Sequence, residues 1–331
     1  MDAGRLTGGA TDRPVRLVAA GPGPAGRGGE FVPVARFASS RTGKSVRVRA
    51  LLTKIEQATG LDRVGDRLQR AVQATLRPRR VRDLLHGVWL GHPLHPAMVQ
   101  VPVGAWISAA VLDAMPGQRR AATTLVAVGT ASAVPAAVAG LNDWAALNRE
   151  QRRVGLVHAA SNTIGLACYA GSLAARLNGR HNLGRTLAYL GLSAASAGAY
   201  LGGHLAYKQG AQVNQSVSEA NLIGDGWHPL ADLSTLPDRE LVTREIDSVS
   251  VILYRHGDDV TVMLERCPHQ SGPLGQGEVT EIDGHPCVVC PWHGSTFQLN
   301  SGGKVVHGPA ANDQQVLATR VVDGVLQTRL P

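Results

Sequence analysis

The stretch CPHQSGPLGQGEVTEIDGHPCVVCPWHGSTF, Cys267 to Phe297, decides how the C-terminal third of the chain is read. It opens with Cys267-Pro268-His269 and closes on Cys290-Pro291-Trp292-His293-Gly294-Ser295, with twenty residues between His269 and Cys290. Two short segments therefore each offer one thiolate and one imidazole. Such a set can hold two metal ions, one by the thiolates and a second, more reducible one by the neutral imidazoles. Two Cys and two His would equally satisfy one tetrahedral zinc. Cys287 and Cys290 are also spaced as a redox dithiol, but that pairing would withdraw Cys290 from the other donors. Cys287 reads instead as a strand residue.

The neighbours sharpen the pattern. Gly272-Pro273-Leu274 follows the first pair and Gly294-Ser295-Thr296-Phe297 the second. Over residues 227–331 the chain thereby resembles the Rieske family. The resemblance implies a [2Fe–2S] cluster held by Cys267, His269, Cys290 and His293, with Pro273, Leu274, Trp292, Gly294, Ser295 and Phe297 around it. It also implies that exposed His269 and His293 form the electron exit and that Pro273 and Trp292 shield the cluster from water. Ser295 stands where a family serine donates a hydrogen bond to a bridging sulfide; Phe297 stands where a tyrosine often adds a second. High-potential members carry one further cysteine per loop, joined as a disulfide. Those positions are not cysteine here, which implies the ferredoxin type, an intermediate potential and tolerance of a reducing cytoplasm. The spacer between the pairs is longer than usual, and a hairpin over Glu281–Pro286 is expected to absorb the excess.

Around this stretch, short β-type runs alternate with turns: Leu241–Ile246, Val249–Tyr254, Val260–Leu264, Val288–Val289, Val316–Val321 and Val325–Thr328. Turn signals such as Asp283-Gly284 and Asp323-Gly324 separate them. A small antiparallel all-β domain over 227–331 is expected, preceded by a polar linker over 208–226.

Upstream the character changes. Ala97–Met115 contains one charge, Asp113, while Ala121–Leu141, Val154–Ala175 and Thr186–Tyr207 contain no Asp, Glu, Lys or Arg. Each is about the twenty residues a helix needs to cross a bilayer, and their Ala, Gly, Ser and Thr content suits close packing in lipid. The fold class expected is therefore multidomain: a four-helix transmembrane bundle over 89–207, then the all-β domain. Cys168 reads as a small side chain of the bundle. A buried soluble bundle is the competing reading.

The formal charge is +8, with much of the excess before residue 90. No aromatic-studded basic surface or nucleic-acid motif accompanies it, so nucleic acid is not an expected partner. Arg77, Arg79, Arg80 and Arg82 before the first apolar segment read as a topology signal, and the flanks favour both termini in the cytoplasm. Residues 46–88 show apolar positions every three or four residues among basic ones, as a helix packed on its own protein or lying on the membrane surface. Residues 1–45, rich in Gly, Pro, Arg and Ser, are expected to be disordered and show no secretory signal.

Within the bundle, the stretch Gly91-His92-Pro93-Leu94-His95-Pro96, with Asn142-Asp143-Trp144, His158 and His204, resembles an uncharacterised bacterial membrane domain that recurs beside redox modules. The helix order places His92, His95, Asp143, His158 and His204 in the leaflet facing the cluster. A haem b held by two histidines or a quinone head-group pocket is expected from them, with His158 and His204 the best pair, against a purely structural role. The function expected is a multi-pass plasma-membrane protein that carries single electrons between a redox protein and a membrane-associated donor or acceptor. A cluster-based redox or oxygen sensor, or an assembly module, is the alternative. A complete Rieske oxygenase is disfavoured, because the only histidine after His293 is His307 and no second iron site of two His and one carboxylate is evident.

Overall fold

The computed structural model describes residues 43–331. The segment expected to be disordered, 1–45, lies outside the described residues up to position 42. Eight helices come first: α1 (Gly43–Glu56), α2 (Asp62–Thr75), α3 (Arg79–His86), α4 (Leu94–Met98), α5 (Gln100–Asp113), α6 (Arg119–Trp144), α7 (Arg149–Leu177) and α8 (His181–Tyr207). The amphipathic stretch 46–88 is three helices, interrupted by a 3-10 turn over Thr59–Leu61 and by Pro78, which stands extended before α3. Its apolar positions divide: Val48, Leu51, Val64 and Leu84 are exposed, while others face the protein. Leu52 packs on Val154 and Leu201, and Val72 on Trp144, Ala145 and Leu147. Arg152 and Arg153 of α7 meet Asp66 and Asp62 of α2 at 2.8 and 2.7 Å.

The runs Leu94–Asp113 and Arg119–Trp144 are long and apolar enough to cross a membrane. α7 and α8 have the length, 29 and 27 residues, but their Ser, Gly, Tyr and terminal Arg residues lower their hydropathy. The bundle is small-sided within and apolar without. Ala105, Ala109, Ala122, Ala136 and Ala139 are buried, while Val101, Ile107, Val111, Val134, Ile164 and Leu190 are exposed. Helices that approach through small residues and turn large aliphatic ones outward suit a surrounding of lipid.

The bundle is built twice. Asp113 and Arg176 lie 63 positions apart and pair through the Arg176 guanidinium, with Nη1 2.9 Å from Asp113 Oδ1. At the same spacing, Trp106 stacks on Tyr169 with ring centroids 4.1 Å apart, and His95 meets His158 edge-on at 6.4 Å. Each residue of α4–α5 in this row touches its own counterpart in α7. The returning helices repeat as well, at a spacing shorter by one residue: the Trp106 ring fills the space beside Gly129, and the Tyr169 ring that beside Gly191. Equivalent residues touch one another only on a twofold axis. The hairpins α4–α5/α6 and α7/α8 are thus related by a pseudo-twofold parallel to the helices, the parallel type of internal repeat.

The second half is all β. Its strands are β1 (His228–Asp232), β2 (Leu241–Ile246), β3 (Val249–His256), β4 (Asp259–Leu264), β5 (Glu278–Ile282), β6 (His285–Val289), β7 (Thr296–Gln298), β8 (Val305–His307), β9 (Val316–Val322) and β10 (Val325–Arg329). A six-stranded sheet runs β1-β10-β9-β4-β3-β2 and a four-stranded one β5-β6-β7-β8. Ile252 and Met263 from the first face Val288 and Phe297 from the second, with Cys267, Leu274 and Cys290 in the same core. The expected hairpin is β5–β6: Asp283 and Gly284 both have positive φ, 50° and 77°, the two-residue turn whose twist suits paired strands. The stretch 208–226 is no free linker. It holds a short helix, α9 (Val217–Ala220), buries Ile223 in the β core, and donates from Gln215 N to Pro268 O.

Candidate metal centre

Two loops emerge side by side from the small sheet and its neighbour β4, and they are built alike. In the first, Cys267 N donates to Gly272 O and Ser271 N to Cys267 O; in the second, Cys290 N donates to Ser295 O and Gly294 N to Cys290 O. The fifth residue of each loop, Ser271 or Gly294, has positive φ, 61° or 75°. Glycine takes that conformation freely; Ser271 does so at a steric cost. Each closed loop turns its cysteine inward and sets its histidine two or three residues later.

The loops bring all four expected donors together. Cys267 and Cys290 are buried with their sulfurs in contact, and the His269 and His293 rings lie 5.0 Å apart, nearly perpendicular. A metal about 2.0–2.1 Å from a ring nitrogen lies roughly 3.2 Å from that ring's centroid, so imidazoles at a tetrahedral angle have centroids roughly 5 Å apart. The observed spacing is the one a single tetrahedral ion would impose. Among the described residues, no three His, Cys, Asp or Glu converge on one ion. A two-iron cluster asks only two protein ligands of each iron, so the donor set fits [2Fe–2S] better than mononuclear zinc.

The electrostatics agree. The sulfur contact and burial push the Cys267 thiol up, while the hydrogen bond from Cys267 draws Cys290 down to about 6. Burial, then the charges of His293 and His86, press His269 down to about 3. Burial thus keeps the His269 imidazole neutral, the form that binds iron. His269 Nε2 is buried and has no hydrogen-bond partner.

Several expectations are corrected here. His269 is not exposed: only 3% of its surface reaches solvent, because the first loop faces the helical half, whereas His293 is exposed. Trp292 is itself 56% exposed, yet its ring lies over Gly272, where an added Cβ would come 2.7 Å from Cys290 Sγ and 3.2 Å from the indole. Pro273 is half-buried and Leu274 fully buried. Ser295 is buried and its Oγ accepts from Ala310 N at 2.9 Å, which leaves the hydroxyl proton free to donate. Phe297 is core. Cys287, in β6, turns its thiol to His285 O and joins no disulfide.

The helical half grips both loops. Arg79 donates to Gly294 O and Thr296 Oγ1, each at 3.1 Å, and Gln270 Nε2 donates to Gln151 Oε1 at 2.7 Å. Asp83 accepts from His307 Nδ1 and Gly308 N at 2.8 and 2.9 Å. His86 packs on Gly308 and bonds buried Asp143 at 2.7 Å. Of the bundle histidines, His92 is exposed at the rim. His204 bonds Glu56 at 2.7 Å and stands in a cluster with Lys208. The pair brought together is His95 with His158, not His158 with His204. Sequence reasoning missed His86 and Glu56, which lie outside the four apolar segments; the spacing of His86 from the His92–His95 pair is the only cue to it.

A family model for the Rieske [2Fe–2S] domain matches residues 226–321. That part of the chain is a Rieske domain. Residues 91–215 match the family described as "Predicted membrane protein (DUF2231)", so the chain joins a predicted membrane domain to a ferredoxin-type electron-transfer domain. A human Rieske domain-containing protein is 36% identical over 63 residues, 19% of this chain and 40% of its own length; the chain thus spans well under half of that relative. The anthranilate 1,2-dioxygenase ferredoxin subunit of Burkholderia cepacia is 28% identical over 104 residues, 31% of this chain and 92% of the subunit. Among solved structures, the ferredoxin of carbazole 1,9a-dioxygenase from Nocardioides aromaticivorans aligns at 19% identity, covering 32% of this chain and all of that one, with a TM-score of 0.29.

Proposed function

We propose that the protein is a multi-pass membrane electron carrier whose [2Fe–2S] cluster is held by Cys267, His269, Cys290 and His293. When bound, the cluster supplies one-electron chemistry. The residues around it set its access: the buried His269 side looks to the helical half, and the exposed His293 and Trp292 side looks to solvent, where a soluble redox protein docks. The observation that carries this reading is the grip of the helical half on both loops, through Arg79, Gln151 and Gln215. A merely tethered domain would leave those loops free.

The pseudo-twofold supports four spans. α7 and α8 repeat the two helices apolar enough to cross, and equivalent helices on an axis parallel to them share one depth. An even number of spans keeps the Rieske domain on the side of the N-terminal helices, in keeping with the contacts of α3 with it, and the arginine bias favours the cytoplasm for that side.

The test is reduction of the purified protein with dithionite in detergent, followed by visible and EPR spectroscopy. A rhombic signal of mixed Cys/His ligation, lost in Cys267→Ser and Cys290→Ser, is the expected result. One zinc and no iron per chain would overturn the reading.

A further inference from the structure

The two hairpins of the bundle each present one histidine to the pseudo-twofold, and both are set in the same way. His95 Nδ1 lies 2.8 Å from Ala136 O, and its ring fills the space beside Gly140, one turn further along α6. His158 Nδ1 lies 2.8 Å from Gly198 O, and its ring fills the space beside Gly202, one turn further along α8. A carbonyl only accepts, so each Nδ1 carries the proton and each Nε2 keeps its lone pair. A ring nitrogen anchored on a main-chain carbonyl, with the other left as a donor to metal, is the usual setting of a ligating histidine. Asn162 does not use the second lone pair. Its Nδ2 lies 3.4 and 3.3 Å from the two ring nitrogens of His158, which places it over the ring face, and it donates to His158 O at 2.9 Å.

The spacing selects the occupant. Two imidazoles in trans across one metal, each nitrogen about 2.0–2.1 Å from it, have centroids roughly 6.4 Å apart; the His95 and His158 centroids are 6.4 Å apart. A bare ion between them would lack ligands, since no third His, Cys, Asp or Glu joins the pair among the described residues. Haem iron brings its own four equatorial nitrogens and needs two axial ligands only. We propose that His95 and His158 are the axial ligands of a haem iron seated on the pseudo-twofold axis of the helical domain, at its end nearest the Rieske domain. The site also lies in line with the other half. Asp143 follows Gly140 by one turn of α6 and bonds His86, and His86 packs on Gly308 of the Rieske domain. The inference does not depend on the cluster ligands, which belong to a separate site.

The full chain, expressed with 5-aminolevulinate and purified in detergent, is assayed by the pyridine haemochrome method, by total metal analysis and by EPR. The expected result is one haem per chain, low-spin, beside an undiminished Rieske signal. His95→Ala and His158→Ala each lower haem content at least tenfold, His92→Ala leaves it unchanged, and His95→Met retains haem with a shifted spectrum, which shows that the fold survives at that position. Wild-type protein with an intact Rieske signal and no haem overturns the proposal, as does haem retained in both alanine variants, or a third metal equivalent without porphyrin. Haem present without a cluster would refute the Rieske ligand assignment and uphold this one.

Discussion

The Asp113–Arg176 pair offers the sharpest quantitative test of the duplicated bundle. Both side chains are almost wholly enclosed, at 3% and 1% exposure. Arg176 further donates from Nε to Ser172 Oγ at 3.1 Å. Removing one member of a buried pair strands the other charge and costs about 3–5 kcal/mol, so Asp113→Leu and Arg176→Leu should each lose that much. Because the two positions are equivalent across the axis, the exchange Asp113→Arg with Arg176→Asp should re-form the pair. It should not recover everything. Position 109 is Ala where Ser172 would be the counterpart, so Nε loses a hydrogen bond worth about 1 kcal/mol. Position 122, in the first hairpin, is Ala where the second hairpin has Gly184, and a Cβ at 184 would lie 2.6 Å from Arg176 Cγ. The exchange variant should therefore sit about 1–2 kcal/mol below wild type, well above either single variant. Unfolding by SDS titration in mixed micelles, followed through Trp106 stacked on Tyr169, reads these differences. An exchange variant as unstable as the single ones, or single losses under about 1 kcal/mol, would refute the axial arrangement.

Gly272→Ala should lower cluster occupancy without unfolding the β domain, because its Cβ meets Cys290 Sγ and the Trp292 ring; iron per chain against circular dichroism checks this. Asp83→Ala removes the acceptor of His307 and of Gly308 N. It should weaken docking of the Rieske domain by about 1–3 kcal/mol, seen as faster amide exchange at Gly308 with exchange in β3 and β4 unchanged. At Glu56, burial pulls the carboxyl pKa up, but hydrogen bonds from Lys208 and His204 outweigh it and the net shift is downward from 4.5. A depressed carboxyl stabilises the fold above its unfolded pKa and loses that contribution as pH falls through the folded value. Wild-type stability should therefore decline below about pH 4.5 more steeply than that of Glu56→Gln, and thermal unfolding across pH 3–6 would show parallel curves if the reasoning fails.

The cluster motif was legible because chemistry constrains it. Donors of the kind proposed here to hold iron cannot be exchanged for similar residues, so Cys267, His269, Cys290 and His293 and the flanking glycines stand out locally. Five of the six β-type runs were found close to their bounds, while the run Val288–Val289 is only the end of β6, which begins at His285; β1, β5, β7 and β8 were not read as strands. β7 and β8 have three residues each, too few for a period, and β1 and β5 are half-buried runs interrupted by Pro and Glu. The duplication was illegible for a different reason. Packing across an axis is satisfied by complementary partners, so Trp106 answers Tyr169 and Asp113 answers Arg176, and little identity survives for a sequence repeat to display. Burial of His269 likewise depends on how the two halves meet, which no local pattern encodes. The helices over 46–88 showed their period but not their partner: Leu52 and Val72 pack against the bundle, whereas Val48, Leu51 and Val64 of the same period stay exposed.

The charge on the axis also bears on how the helical half came to be one chain. A domain made of two similar hairpins suggests an ancestor that assembled from two identical copies. Neither present hairpin can return to that state: two copies of the first would oppose aspartate to aspartate at the enclosed position, and two copies of the second arginine to arginine. Like charges there have no water to screen them, so each half is now bound to prefer its sister over itself. The covalent link between α6 and α7 has become a matter of obligate pairing, and heterologous recombination of hairpins would have to carry the acidic and basic members together.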